Sequence, residues 1–140
     1  IGVLGNHPGN IVTSVVGEVV SHAEFYDYAS KYRDGGAELF IPANIPDRVA
    51  SEMAQVATEA FLALECSGLA RVDFFWCEKE DRLYLNEINT MPGFTQYSMY
   101  PMLFKAAGWT YQGLIERLIE LGLERYAEKK RNKVMVAKLD

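Results

Sequence analysis

Two alternating runs, Leu69 to Cys77 and Tyr84 to Asn89, flank the charged segment Glu78-Lys-Glu-Asp-Arg82, and this pattern restricts the chain more than any other. β-Branched and aromatic residues broken by a short polar stretch read as two strands joined in an antiparallel hairpin. Side chains alternate between faces along a strand, so Arg71 and Asp73 point the same way, as do Glu87 and Asn89. A loop centred near Glu80 sets Asp73 opposite Glu87 and Arg71 opposite Asn89; a bulge would shift that register.

Carboxylates facing each other across a ladder repel, so the pair needs a countercharge. Two readings stand. A salt-bridged, solvent-facing side of an antiparallel sheet is the commoner use of such residues, and the hairpin alone favours it narrowly. The other is a metal–phosphate site. Two acids and an amide oxygen form an all-oxygen set suited to Mg²⁺, which leaves coordination positions for water and phosphate. Arg71, two residues along the same face, is then placed to hold a phosphoryl oxygen.

The rest of the chain supplies a frame for that hairpin. Val12, Val15, Val16, Val19 and Val20, broken by Gly9 and Gly17, suit strands. Residues 21–42 interleave Tyr26, Tyr28 and Tyr32 with charged residues and pass through Gly35-Gly36, which reads as a surface loop that closes over something. From Pro46 to Glu65, Val49, Met53, Val56, Ala57, Ala60, Phe61 and Leu64 recur at helical spacing on one face, with Asn44 and Pro46 as start signals and Gly68 after the end. A second helix is expected from Ser98 to Gly108, with Pro101 in its first turn. A third is expected from Thr110 to Tyr126, burying Leu114, Ile115, Leu118, Ile119 and Leu123. The segment from Lys129, with Lys129-Lys-Arg131, reads as a solvated tail. Strands with helices packed beside them make an α+β fold, mainly antiparallel.

Composition narrows the function. The chain has 140 residues, enough for one domain with its own core, and a net charge of −5 with both signs interspersed. That balance argues against a nucleic-acid binder but leaves room for an anionic small ligand, since a bound metal supplies local positive charge. Cys66 and Cys77 lack metal-ligand spacing and read as buried free thiols in a reducing cytoplasm. No apolar run approaches the length of a membrane span. The opening Ile1-Gly-Val-Leu-Gly5 reads as the end of an extended segment, which suggests a piece of a longer protein. His7 and His22 are expected in surface or capping roles.

The run Asn86-Glu-Ile-Asn-Thr-Met-Pro-Gly-Phe-Thr95, with Gly68-Leu-Ala-Arg-Val-Asp73 and Ser98-Met-Tyr-Pro101, resembles the C-terminal part of the D-alanine–D-alanine ligases of the ATP-grasp superfamily. Asn-Glu-Ile-Asn alone would indicate only ATP-grasp; the later blocks are far more specific. The resemblance runs from Val3-Leu-Gly5 through Phe25-Tyr-Asp-Tyr-Ala-Ser-Lys-Tyr32 to about Leu121. It implies an ATP-grasp C-terminal catalytic subdomain over residues 1–126, a lid loop over about 21–42, and a tail over 127–140.

By that resemblance, Asp73, Glu87 and Asn89 would hold two Mg²⁺ ions (or Mn²⁺) on the terminal phosphates of ATP. Arg71 would bind the transferring phosphoryl group and then share the developing oxyanion with the backbone N–H of Gly93. Ser98 and the N–H of Met99 would take the carboxylate of the second D-alanine, although Ser at a helix start is more often a plain N-cap. Lys31 would reach phosphate and substrate carboxylate, and Tyr32 would help close the lid; the Lys-Tyr pair leans towards an amine acceptor. The N-terminal and central domains that such a ligase needs are not in this sequence, so the chain alone is expected not to turn over. Other implications are a homodimer, a cytoplasmic location and a role in peptidoglycan precursor synthesis. A different ATP-grasp carboxylate–amine ligase and a non-catalytic nucleotide-binding module are the competing readings.

Overall fold

The structure, a computed structural model, describes residues 1–6, 9–21 and 37–136. Strands β1 (Gly2–Gly5), β2 (Val12–Thr13), β5 (Gly68–Cys77) and β6 (Arg82–Asn89) form one antiparallel sheet in the order β2-β1-β5-β6. Strands β3 (Glu18–Ser21) and β4 (Ala37–Phe40) pair antiparallel in a second, two-stranded sheet. Three helices follow the chain as α1 (Asp47–Ala63), α2 (Met99–Ala106) and α3 (Tyr111–Val136). The architecture is the expected α+β one.

Alternation along β1 and β5 divides the core into two. Val3, Ala70 and Val72 pack with Ala57 and Phe61 of α1 on one face of the main sheet. Leu4 packs on the other face with Tyr100 and Phe104 of α2 and with Leu114 and Leu121 of α3, and Leu69 joins them. Period-2 alternation places Arg71 and Asp73 on the same face as Leu69. That face of β5 therefore turns from apolar, where helices cover it, to charged a few residues on. Gly2, the β1 partner of Arg71, lies so close to α2 that a Cβ there would come 2.7 Å from the Phe104 ring.

The helices match the periodicity with identifiable exceptions. Val49, Met53, Ala57 and Phe61 are buried on α1, but the helix stops at Ala63, so Leu64 lies exposed at its C-terminal end rather than on the buried face. Leu114 and Leu121 are buried on α3 and Leu118 packs beside them, whereas Ile115, Ile119 and Leu123 are exposed, the last at 65%. The apolar residues of α3 cover more of its circumference than the sheet and α2 can reach, and the sheet takes the side carrying Leu114 and Leu121. The helix also continues to Val136, past the expected end at Tyr126 and into the basic stretch. Ala127, Glu128, Lys129, Lys130 and Arg131 are all good helix formers and carry it past Tyr126.

Two further expectations change. The loop expected over 21–42 ends in strand β4, whose backbone pairs with β3 from Glu18↔Phe40 to Ser21↔Ala37. Cys66 and Cys77 are free but only partly buried. Burial nonetheless pushes the Cys66 thiol up from its ordinary value. Lys31, Tyr32, His7 and His22 lie outside the described residues. Among the described residues, no helix is long and apolar enough to cross a membrane.

Candidate active site

The hairpin brings the charged residues together in the expected register. Arg71 pairs with Asn89 and Asp73 with Glu87, but Phe74 then pairs with Leu85. Asn86 is thus an extra residue on β6, a bulge lying between the hairpin loop and the site. The turn itself is tighter than expected: a 3₁₀ turn over Glu78–Glu80 leads into Asp81 in the left-handed conformation, and Cys77 pairs with Arg82. Arg48 of α1 forms an ion pair with Asp81 and its guanidinium lies 5.8 Å from the Trp76 ring centroid, which ties the loop to the helix.

Arg71 supplies the countercharge between the two acids. Its Nε and Nη2 donate to the two carboxylate oxygens of Asp73 at 2.7 and 2.6 Å, and Nη2 lies 3.8 Å from Glu87 Oε1. A planar fork matched to a carboxylate is the strong form of this contact. The Arg71 and Asp73 side chains are 22% and 32% exposed and Glu87 57%, so a ligand can reach the face from one side.

Beyond Asn89 the chain turns back through an irregular loop that reaches α2. Met91 N–H donates to Asn89 Oδ1 at 3.0 Å, which orients that amide. Pro92 is buried and Gly93 is exposed. A Cβ on Gly93 would stand 3.1 Å from Ser98 Oγ, so the glycine backbone and the serine hydroxyl are neighbours. Ser98 occupies the N-cap position of α2 without making a side-chain cap. Its Oγ instead accepts the Thr95 N–H at 3.0 Å and lies 2.9 Å from Thr95 Oγ1, while the Ser98 N–H donates to Thr95 O at 2.8 Å. The plain N-cap role is therefore not the one adopted, and the first-turn N–H groups of α2 lack a side-chain acceptor from Ser98. Tyr111, the first residue of α3, donates its hydroxyl to Phe94 O at 2.7 Å.

Comparison with known proteins decides the family. Residues 1–120 match the family described as D-ala D-ala ligase C-terminus. The chain belongs to this ligase family. It is 55% identical to a D-alanine–D-alanine ligase of Deinococcus radiodurans over 124 residues, which are 89% of this chain and 36% of that protein. It is 54% identical over 129 residues to one from Geobacillus thermodenitrificans, covering 92% of this chain and 35% of the relative. Among solved structures, the D-alanine–D-alanine ligase of Coxiella burnetii superposes with a TM-score of 0.79 at 34% identity, over 96% of this chain and 34% of that one. A D-Ala:D-Ser ligase from Enterococcus faecalis gives a TM-score of 0.74 at 32% identity, over 86% of this chain and 34% of its own. The chain thus spans about a third of the length of these relatives.

Of the nine site residues expected from sequence, seven are described: Arg71, Asp73, Glu87, Asn89, Gly93, Ser98 and Met99. The first four share one patch of the ligase fold, and the loop from Asn89 carries Gly93 to within contact of Ser98. Among the described residues no group of three or more His, Cys, Asp or Glu gathers for a metal; the hairpin face offers the Asp73 and Glu87 carboxylates and the Asn89 amide oxygen. The donor chemistry fits a hard cation. Each Asp73 oxygen accepts a hydrogen bond from Arg71 and Asn89 Oδ1 accepts one from Met91 N–H, and an oxygen of this kind has a second lone pair to offer.

Two participants were missed from sequence. Thr95 stands three residues before Ser98, a spacing at which hydroxyl residues form local turns, and that was a usable signal. Tyr111 acts across 17 residues, and nothing local marks it.

Proposed function

We propose that this chain forms the C-terminal part of the active site of an ATP-dependent D-alanine–D-alanine ligase, which makes D-alanyl-D-alanine for peptidoglycan precursors. The observation that carries the reading is the continuity of the charged hairpin face, through Asn89 and Gly93, with the hydroxyl of Ser98 at the start of α2. In the proposed reaction a carboxylate oxygen of one D-alanine attacks the γ-phosphorus of ATP, ADP leaves, and an acyl phosphate results. The amine of the second D-alanine then attacks the acyl carbon, inorganic phosphate leaves, and the amine loses a proton.

Each residue has a task in this scheme. Asp73, Glu87 and Asn89 would hold Mg²⁺, with Mn²⁺ as a substitute, and the metal when bound neutralises charge on the terminal phosphates. Arg71 holds the transferring phosphoryl group and, with the Gly93 N–H, stabilises the oxyanion formed when the amine attacks. Ser98 Oγ and the Met99 N–H bind the carboxylate of the acceptor at the positive end of α2. Lys31 and Tyr32, which lie outside the described residues, would in this reading help keep water from the acyl phosphate.

The remaining parts of the site come, in this reading, from the N-terminal and central domains of a cytoplasmic, homodimeric ligase. The test is direct. The full-length protein should release phosphate from ATP and form D-alanyl-D-alanine in a D-alanine-dependent way, while the 140-residue chain alone should be inert. D-alanine-dependent turnover by the chain alone would overturn the partial-site reading, and a full-length protein without D-alanine ligation would overturn the assignment.

A further inference from the structure

We infer that Tyr111 is a positioning residue for Ser98 and acts through the peptide unit between Phe94 and Thr95. The inference rests on the proposed role of Ser98 in binding the acceptor carboxylate. Both polar atoms of that peptide are engaged. Its carbonyl oxygen, on Phe94, accepts the Tyr111 hydroxyl at 2.7 Å. Its N–H, on Thr95, donates to Ser98 Oγ at 3.0 Å. The phenol, the amide plane and the serine hydroxyl therefore form one hydrogen-bonded chain that spans from α3 to α2.

The order of donors gives that chain a direction. A carbonyl that accepts a hydrogen bond makes its own amide a better donor, so the Tyr111 hydroxyl strengthens the Thr95 N–H contact with Ser98. Ser98 Oγ then uses one lone pair on Thr95 N–H and keeps its hydrogen available. Thr95 Oγ1 lies 2.9 Å away, and either hydroxyl can donate across that contact, so a bound carboxylate can take the Ser98 hydrogen while Thr95 Oγ1 donates to Ser98 Oγ. The hydroxyl is thus held at a set position and stays able to donate.

Packed aromatic rings back the relay. The Phe94 ring lies between Tyr111 and Tyr100, with centroids 5.8 and 5.9 Å away. Tyr100 is fully buried and donates its own hydroxyl to Val3 O in β1 at 2.9 Å. Tyr111 itself is 40% exposed, so water could satisfy its hydroxyl equally well. Its contact with Phe94 O is not forced by burial, and what it accomplishes is to fix the plane of the peptide that reaches Ser98.

The test is a double-mutant cycle in the full-length ligase, read as KM for the acceptor D-alanine, KM for ATP, kcat and Tm. Tyr111→Phe keeps the ring and removes only the donor. The expected result is a rise in acceptor KM of about two- to tenfold, the range that one neutral hydrogen bond sets. KM for ATP and kcat should stay near wild type, because binding to the carboxylate is the same in ground and transition states. Tm should move by only a few degrees, since the contact is exposed. In a Ser98→Ala background, Tyr111→Phe should add nothing. An unchanged acceptor KM in Tyr111→Phe, or a loss confined to Tm, overturns the role of Tyr111 while an impaired Ser98→Ala keeps the acceptor-site reading. The same fold-change in both backgrounds also overturns it. A Ser98→Ala enzyme with wild-type acceptor KM overturns the acceptor-site reading and the role of Tyr111 together.

Discussion

Replacing Gly93 by alanine would place a methyl group 3.1 Å from Ser98 Oγ and 3.5 Å from Ser98 Cβ. The first contact is too close by a few tenths of an ångström, so the loop or the serine must move. Ser98 Oγ is held at 3.0 Å by the Thr95 N–H and at 2.9 Å by Thr95 Oγ1, so moving it stretches or breaks both contacts. At about 0.5–1.5 kcal/mol each, that loss amounts to roughly 1–3 kcal/mol, or about five- to 150-fold in an equilibrium. Both contacts lie within the folded protein, so folding loses up to the same about 1–3 kcal/mol, and the acceptor site loses the set position of its hydroxyl. The full-length Gly93→Ala enzyme should therefore lose kcat/KM for acceptor D-alanine by one to two orders of magnitude while its Tm falls by only about 2–10 °C, leaving it folded at assay temperature. Steady-state kinetics alongside calorimetry makes the comparison. In a Ser98→Ala background the methyl no longer meets a hydroxyl, and the extra loss should shrink. Wild-type acceptor kinetics in Gly93→Ala would refute the claim that this glycine and Ser98 form one site.

Three other outcomes follow from the charged face and the buried core. Asp73→Asn and Glu87→Gln each remove one carboxylate from the face that Arg71 bridges, and each should raise the Mg²⁺ concentration needed for ligation by about 10²-fold or more, on the scale of losing a charged partner; metal titrations of ligation that match wild type would remove the metal assignment. Tyr100→Phe removes the second donor to the Val3 carbonyl, which keeps its ladder partner on β5, and should cost about 0.5–1.5 kcal/mol in denaturant unfolding. Burial also drives the Tyr100 phenol far above its ordinary range. Below pH about 10 both folded and unfolded states keep that proton, and above it only the unfolded state readily loses it, so stability should fall as pH rises from there. The alkaline decline should be steeper in wild type than in Tyr100→Phe, and parallel curves would contradict it.

The charged face illustrates how far pattern alone can go. Alternation placed Arg71 with Asp73 and Glu87 with Asn89, and the polar segment between the runs set them opposite each other. The register came out as expected at the site even though the turn is centred between Lys79 and Glu80 rather than on Glu80, because the bulge at Asn86 restores the offset. That agreement depends on an irregularity no periodicity reports. Local signals did well for α1 and α2, where 3.6-residue spacing, Pro101 and Gly108 delimit segments that one buried face then stabilises.

Where several packings satisfy the same pattern, the assembled fold had to choose. The apolar residues of α3 offer more than one face, and only the positions of β5 and α2 select Leu114, Leu118 and Leu121 over Ile115, Ile119 and Leu123. Ser98 was legible as a helix start, yet its hydroxyl turns away from the helix to Thr95, a choice between two local hydrogen bonds of similar strength. Tyr111 joins the site solely because α3 returns beside the loop at Phe94. By itself the sequence determined which charged residues share a hairpin face and which segments become helices, since both follow from short-range periodicity. The tertiary structure alone decided which face of α3 is buried, where the Ser98 hydroxyl points, and that a tyrosine 13 residues further on holds the peptide beside it, since these depend on contacts between elements that no local pattern records.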